Sequence, residues 1–114
     1  VKILVLDDNI DRHVDFIRRW RDKHTIVNVG NFEEAVHALQ YGSPFDVLHL
    51  DHDLGEKRNG TDVVRYLIHA VPRQKWPQQV VVHSQNFIGG PRMVRLLRDA
   101  GIPANWKPFS FHSP

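Results

Sequence analysis

The 114-residue sequence contains no cysteine, which removes disulfides, thiolate nucleophiles and sulfur-ligated metals from consideration. Long apolar runs are missing too. Stretches such as Ile3 to Leu6 and Val80 to Val82 fall far short of the roughly 20 residues a membrane helix requires. No charged-then-apolar leader opens the sequence, so a cytoplasmic location and no membrane association are expected. Excess charge is small: 15 Lys and Arg against 13 Asp and Glu leave +2 with histidine neutral, too little for strong non-specific attraction to nucleic acid. What remains, 41% apolar and 25% charged residues with seven Gly and seven Pro, is the composition of one ordinary soluble domain over residues 1–114. A chain of this length buries a core without needing a structural metal.

Apolar periodicity alternates between strand and helix. Lys2 to Leu6 is a branched apolar run ending in two aspartates, as a buried parallel strand would. Ile10, Val14, Ile17 and Trp20 recur at helical spacing, predicting a first helix over about residues 10–22. Thr25 to Val29 is the second strand. Asn31 and Glu34 form a capping-box pattern ahead of a helix with Phe32, Ala35, Val36 and Leu39 inward, stopped by Gly42. Phe45 to Leu50 is the third strand, and a polar loop runs from Asp51 to Gly60. Thr61 begins a third helix with Val63, Val64, Leu67 and Ile68 inward, ended by Pro72. Gln79 to His83 is the fourth strand. Gly89-Gly90-Pro91 opens a fourth helix with proline at its first position and Gly101 as its stop, and Ala104 to Trp106 is a short fifth strand. Alternation of this kind means βαβ units and a three-layer α/β/α sandwich on a parallel sheet.

Ligands of such sheets bind outside the carboxyl ends of the strands, and there the polar residues gather. Asp7 and Asp8 follow the first strand, Asp51 to Asp53 the third, His83 and Ser84 the fourth, and Lys107 the fifth. Each aspartate alone reads as a helix cap or a turn residue. Caps do not, however, require an acid pair on one strand end, an acid on another, and Ser and Lys on the flanking two. Carboxylates brought together repel, and a hard divalent cation with oxygen ligands, Mg²⁺ (or Mn²⁺), relieves them. The candidate ligands are Asp7, Asp8, Asp51 and Asp53.

The ordered set resembles the receiver domain of two-component response regulators: an acid pair, an Asp, a Ser or Thr, and a Lys-Pro pair at successive strand ends. Here these are Asp7 and Asp8, Asp51, Ser84, and Lys107-Pro108. Asp51 lies 43 residues after Asp8, Ser84 33 after Asp51 and Lys107 23 after Ser84. The resemblance covers nearly the whole chain and implies a flavodoxin-like five-stranded sheet of order 2-1-3-4-5. At the position of Asp53 it implies a backbone carbonyl ligand, whereas the residue type alone leaves a carboxylate ligand open. Local runs narrow the likeness. Leu50-Asp51-His52-Asp53-Leu54-Gly55 and His83-Ser84-Gln85-Asn86 resemble the cyclic-phosphate-processing receiver-like family, which implies action on a cyclic phosphate of a nucleotide or an RNA end. Two departures from signalling receivers agree. Ala104 stands where an aromatic switch residue is usual, and only Phe109 to Pro114 follow the last strand, so the fifth helix is expected to be lacking. Phe109 and Phe111 are then expected to fold back over exposed apolar surface or to join a homodimer interface.

Receiver-type chemistry implies Asp51 as the attacking carboxylate, a cation held by Asp7 or Asp8 with Asp51, and Ser84 and Lys107 on the remaining phosphoryl oxygens. Cyclic-phosphate chemistry adds a proton donor for the departing ribose oxygen, for which His52 and His83 are the candidates. His49 shares a face with Asp51 by strand alternation and reads as a hydrogen-bonded core residue. His13, His24, His37, His69 and His112 read as surface or half-buried residues. Asn86 either caps the fourth helix or contacts a base or ribose, and Arg58 stands at the pocket rim where a second phosphate would lie. Three functions are therefore carried forward: a metal-dependent cyclic-phosphate enzyme, a single-domain response regulator phosphorylated on Asp51 by a histidine kinase, and a non-catalytic nucleotide-binding module.

Overall fold

The computed structural model describes residues 1–108, and the expectations for Phe109, Phe111 and His112 lie outside the described residues. Five strands, β1 (Lys2–Leu6), β2 (Thr25–Val29), β3 (Val47–Leu50), β4 (Gln79–Val82) and β5 (Ala104–Trp106), form a parallel sheet in the order β2-β1-β3-β4-β5. Four α-helices connect them: α1 (Ile10–Trp20), α2 (Phe32–Gly42), α3 (Gly60–Ala70) and α4 (Gly89–Asp99). Fold class and strand order are those expected from the sequence. No helix among the described residues is long and apolar enough to cross a membrane.

Strand alternation divides the core. Leu4, Leu6, Leu48, Leu50, Val80 and Val82 pack with Ala35, Leu39, Val63, Val64, Leu67, Met93 and Leu97 of α2, α3 and α4. The opposite face holds a smaller cluster, Ile3, Val5 and Phe16, with Trp20, Ile26 and Val47 half-buried beside it. The core takes up only part of the apolar period of α1, through Trp20. Phe16 is its buried residue, whereas Ile10 and Val14 are exposed. A period of three to four residues marks an amphipathic stripe without saying which neighbour covers it.

Helix ends follow local chemistry. Asn9 caps α1 through Asp11 N and Arg12 N, and Asn31 caps α2 through Glu34 N. Glu34 reaches back to Gly30 N, one residue short of the expected box partner. A reciprocal capping box stands instead at α3, between Asn59 and Asp62. α3 begins at Gly60, α4 at Gly89 two residues ahead of Pro91, and β3 at Val47. Gly60 has a steric reason for being glycine. A Cβ there would lie 2.1 Å from the Asp51 carbonyl oxygen and 2.9 Å from His52 Cα, so α3 presses its first residue against the end of β3.

The sheet ladder runs one residue past the paired strands. Asp51 N donates to Leu6 O at 2.9 Å, His83 N to Leu50 O at 2.8 Å, and Lys107 N to Val82 O at 2.8 Å. Polar residues thereby continue the apolar strands at a common level. On the α1 side lies a buried layer of Asp7, His49, Asp51 and His83. His49 Nδ1 meets His83 Nε2 at 2.7 Å, the two rings stack, and Phe16 abuts His49 edge-on. Burial first, then the charges of His83 and Lys107, push His49 down to about 3. Burial and Lys107 push His83 down to about 4. Asp51 moves the other way, to about 7, because burial and the neighbouring Asp7 charge outweigh the attraction of Arg12.

Two expected outcomes follow from this packing. Gly60→Ala should destabilise the fold by about 2–3 kcal/mol, since the obstructing atoms are backbone, whereas Gly30→Ala, whose Cβ would meet nothing closer than 3.5 Å, should cost little; urea midpoints compare them. In metal-free buffer between pH 6.5 and about 4, the unfolded chain binds protons at His49 and His83 that the native chain refuses, while native Asp51 holds one that the unfolded chain releases. The net of one proton lowers stability by about 1.4 kcal/mol per pH unit as pH falls, and Asp51→Asn should steepen this to about 2.7 kcal/mol. A urea midpoint independent of pH across that window would overturn the assignment.

Candidate metal and phosphate site

At the carboxyl edge of β1 and β3, one carboxylate oxygen from each of Asp7, Asp8 and Asp51 lies within 4.8 Å of the other two. Asp7 and Asp51 are buried and Asp8 is exposed. Three oxygen donors in a half-open cluster are the donor set a hard divalent cation takes, leaving positions for water or a phosphate oxygen. The residues present therefore fit such a cation.

Asp53 stands apart from this set. Its carboxylate accepts from His52 Nδ1 at 2.8 Å and approaches Asn86 Nδ2 at 3.4 Å, and it is not among the three clustered carboxylates. β3 ends at Leu50, and the chain then turns so that Asp51 and Asp53 serve different neighbours. His52 lies against the start of α4: a Cβ on Gly89 would fall 2.4 Å from its Nε2 and Cδ2. Asn86 closes the group. Its Oδ1 accepts from Ile88 N at 3.0 Å and Gly89 N at 2.7 Å, while its Nδ2 lies 3.4 Å from His52 Nδ1. Asn86 thus accepts from the residues that enter α4, whose N-cap position is Ile88, and it also touches His52.

The other expected residues are distributed around this centre. Ser84 is fully buried, and its hydroxyl accepts from Asn86 N at 3.0 Å while its carbonyl accepts from Trp106 Nε1 at 2.6 Å. Lys107 follows β5, and its charge is felt at His49 and His83. His83 is 2% exposed and engaged with His49. Arg58 is not brought to the carboxylates. It stacks on Phe32 at 4.5 Å and lines a surface hollow with Asn31, Glu33, Glu56 and Lys57. A hollow of about 570 Å³ between α2 and the β2 edge, lined by residues such as Val27, His37, Tyr41 and Phe45, shares no residue with the acidic cluster. A smaller one of about 350 Å³ opens beside it, lined by Asp7, Asp8, His13 and Asn28.

Arg12 is the residue the sequence reading missed. Its Nε donates to Asp7 Oδ2 at 2.6 Å and its Nη2 to Asp7 Oδ1 at 2.9 Å, and Nη2 lies 3.6 Å from Asp51 Oδ2. The signal was available: Arg12 sits in the first turn of α1, and helical side chains lean toward the N-terminus, here onto the end of β1. The Asp7 hydrogen bond raises the pKa of Arg12 further and keeps it charged. His13, which reads from sequence as a bland residue, bonds through its ring to Asn28 Oδ1 and to the Asp7 carbonyl, tying α1 to the ends of β1 and β2.

The fold recurs among solved structures. A response regulator from Burkholderia pseudomallei, described with a phosphorylated aspartic acid, a calcium ion and citrate, superposes with TM-score 0.72 at 19% identity over 98% of this chain and 62% of that one. A CheY-like response regulator receiver domain protein from Methanospirillum hungatei gives 0.70 at 14% identity, covering 97% and 84%. The receiver domain of a Francisella response regulator gives 0.70 at 17%, covering 97% and 87%. No curated protein matches the sequence significantly. The family model described as "Cyclic-phosphate processing Receiver domain" matches residues 2–99. An acid triad on the edge of a 2-1-3-4-5 parallel sheet and a family match over most of its length together mean that this chain belongs to the cyclic-phosphate-processing receiver domain family.

Proposed function

We propose that the chain opens cyclic phosphates of nucleotides or RNA ends with the help of a divalent cation, Mg²⁺ (or Mn²⁺), held by Asp7, Asp8 and Asp51. The observation that carries this reading is the His52–Asp53 pair next in sequence to Asp51, bonded at 2.8 Å and seated on the first residue of α4. An aspartyl phosphorelay has no use for an oriented imidazole at that place, whereas expulsion of a ribose oxygen requires a proton donor. Phosphate itself is recognised by Ser84, Lys107 and the cation, which when bound supplies positive charge to the phosphoryl oxygens.

The chain's own residues account for the proton movements. Water attacks phosphorus and gives its proton to the Asp51 carboxylate. One ribose P–O bond breaks, and the leaving oxygen takes the proton from His52, leaving a phosphate monoester. Asp53 fixes the His52 ring through Nδ1, and Asn86 holds the loop against it. His52 suits the donor role better than His83. His83 is buried against His49 and is pushed down to about 4, so it is neutral at physiological pH.

A second reading rests on Asp51 itself. It stands at the end of β3, buried and beside two further carboxylates, in a fold shared with a response regulator whose aspartic acid is phosphorylated. Under it, Asp51 accepts a phosphoryl group from a histidine kinase.

The two readings differ at the bench. With Mg²⁺ and a panel of 2′,3′-cyclic nucleotides, the enzyme reading expects ring opening that falls about 10²–10⁴-fold in His52→Gln, with cation binding retained. Asp53→Asn should lower the rate less, as a positioning residue. His83→Gln should lower stability while leaving the rate per folded molecule within a few-fold. Acetyl phosphate producing an acid-stable, hydroxylamine-labile adduct that Asp51→Asn abolishes, with no ring opening, supports the regulator. Tight nucleotide binding with the ligand recovered intact would support a binding module and overturn both.

A further inference from the structure

The guanidinium of Arg12 occupies both oxygens of Asp7, one of the three carboxylates of the cluster, and reaches toward a second. We propose that Arg12 is a built-in counter-ion that competes with the divalent cation, so that cation entry and Arg12 release are one exchange. This inference rests on the cation-assisted reading above.

The geometry has three parts. First, the fork is bidentate, with 2.6 and 2.9 Å bonds to the two Asp7 oxygens, and Asp7 Oδ1 already accepts from Asn9 N at 2.8 Å. Little acceptor capacity is left on that carboxylate for an inner-sphere cation. Second, the same fork lies 3.6 Å from Asp51 Oδ2. Its positive charge therefore sits between the two buried members of the cluster, where a dication would be repelled by it. Third, Arg12 stands at the rim of a helix that is fixed by other residues. It sits in the first turn of α1 and its side chain is 28% exposed, while the helix is anchored through Phe16, Trp20 and the Asn9 cap. Asp8 takes no part in the fork. It is exposed and lies near Gly55, whose Cβ would be 3.2 Å from Asp8 Oδ2, so it is available to receive an incoming cation while Arg12 still holds Asp7.

The exchange changes the formal net charge of the site by one, from three carboxylates with Arg12 to three carboxylates with a dication, instead of by the full two. It predicts weaker cation binding than three carboxylates alone would give. It also predicts that the arginine, once displaced, stands at the rim with its fork available to a phosphate.

Titration of the purified chain with Mn²⁺ or Mg²⁺ by calorimetry, with no phosphate present, tests the exchange. Arg12→Met, which keeps length and removes charge, should bind the cation at least tenfold more tightly than the wild type. Arg12→Lys, which keeps charge and loses the fork, should fall between the two, and it decides the matter alone should Arg12→Met fail to fold. The metal-free Arg12→Met protein should melt below the wild type, and saturating Mg²⁺ should close that gap. Equal or weaker cation binding by both variants overturns the exchange and leaves the phosphate chemistry standing. Absence of binding by wild type and variants alike overturns both. Ring opening without any divalent cation, alongside a tenfold gain in Arg12→Met, would uphold the exchange and sink the cation-assisted reaction.

Discussion

Asp7 and Asp51 end adjacent parallel strands, and the ladder bond from Asp51 N to Leu6 O leaves them side by side in a buried layer. Two carboxylate charges within 4.8 Å of each other, as in this cluster, repel by about 3 kcal/mol or more at an effective dielectric constant of about 20. The apolar strands leave no freedom to relieve this by moving apart, because Leu6, Leu50 and Val82 fix their register. Relief has to come from charge. In this structure it comes from Arg12 and from the raised pKa of Asp51, which burial and Asp7 carry up to about 7. Much of the polar architecture at this edge follows from that one conflict.

The neighbouring histidines share the layer on different terms. His49 and His83 are buried and bonded to each other, with Phe16 edge-on against His49. His52 belongs to the loop after β3 and is held by Asp53 and by the backbone of α4 at Gly89. The three histidines thus divide into a buried, mutually bonded pair and one held in the loop after β3.

Much of this could be read from residue pattern alone. The alternation of branched apolar runs with helical periods gave the sheet and its layers, since parallel pairing and right-handed crossovers leave few alternatives. The polar residues at the strand ends gave the acidic cluster. What the pattern left open had physical causes. Ile10 and Val14 repeat at helical spacing, yet the sequence does not say which face meets the sheet, and Phe16 takes that place. Asp53 carries the same side chain as Asp51 but follows the turn at the end of β3, and only the loop geometry shows that it serves His52. Arg58 looked poised for phosphate by its position in the loop and instead stacks on Phe32.

Arg12 explains why a cluster legible as three acids was incompletely described by them. Carboxylates are conspicuous in sequence because they stand next to strand ends, whereas their counter-ion arrives from the following helix, five residues after Asp7. A lysine there would offer a mobile point charge, but the planar fork of arginine fits both oxygens of one carboxylate at once. Such a fit stabilises the fold in the absence of a cation at the expense of affinity for one. The same bidentate match applies to phosphate oxygens, so a single side chain can hold the empty site closed to charge and, once displaced, help retain the ligand. Under the proposed exchange, the two roles in one residue would let cation binding favour phosphate binding without requiring any rearrangement of the sheet.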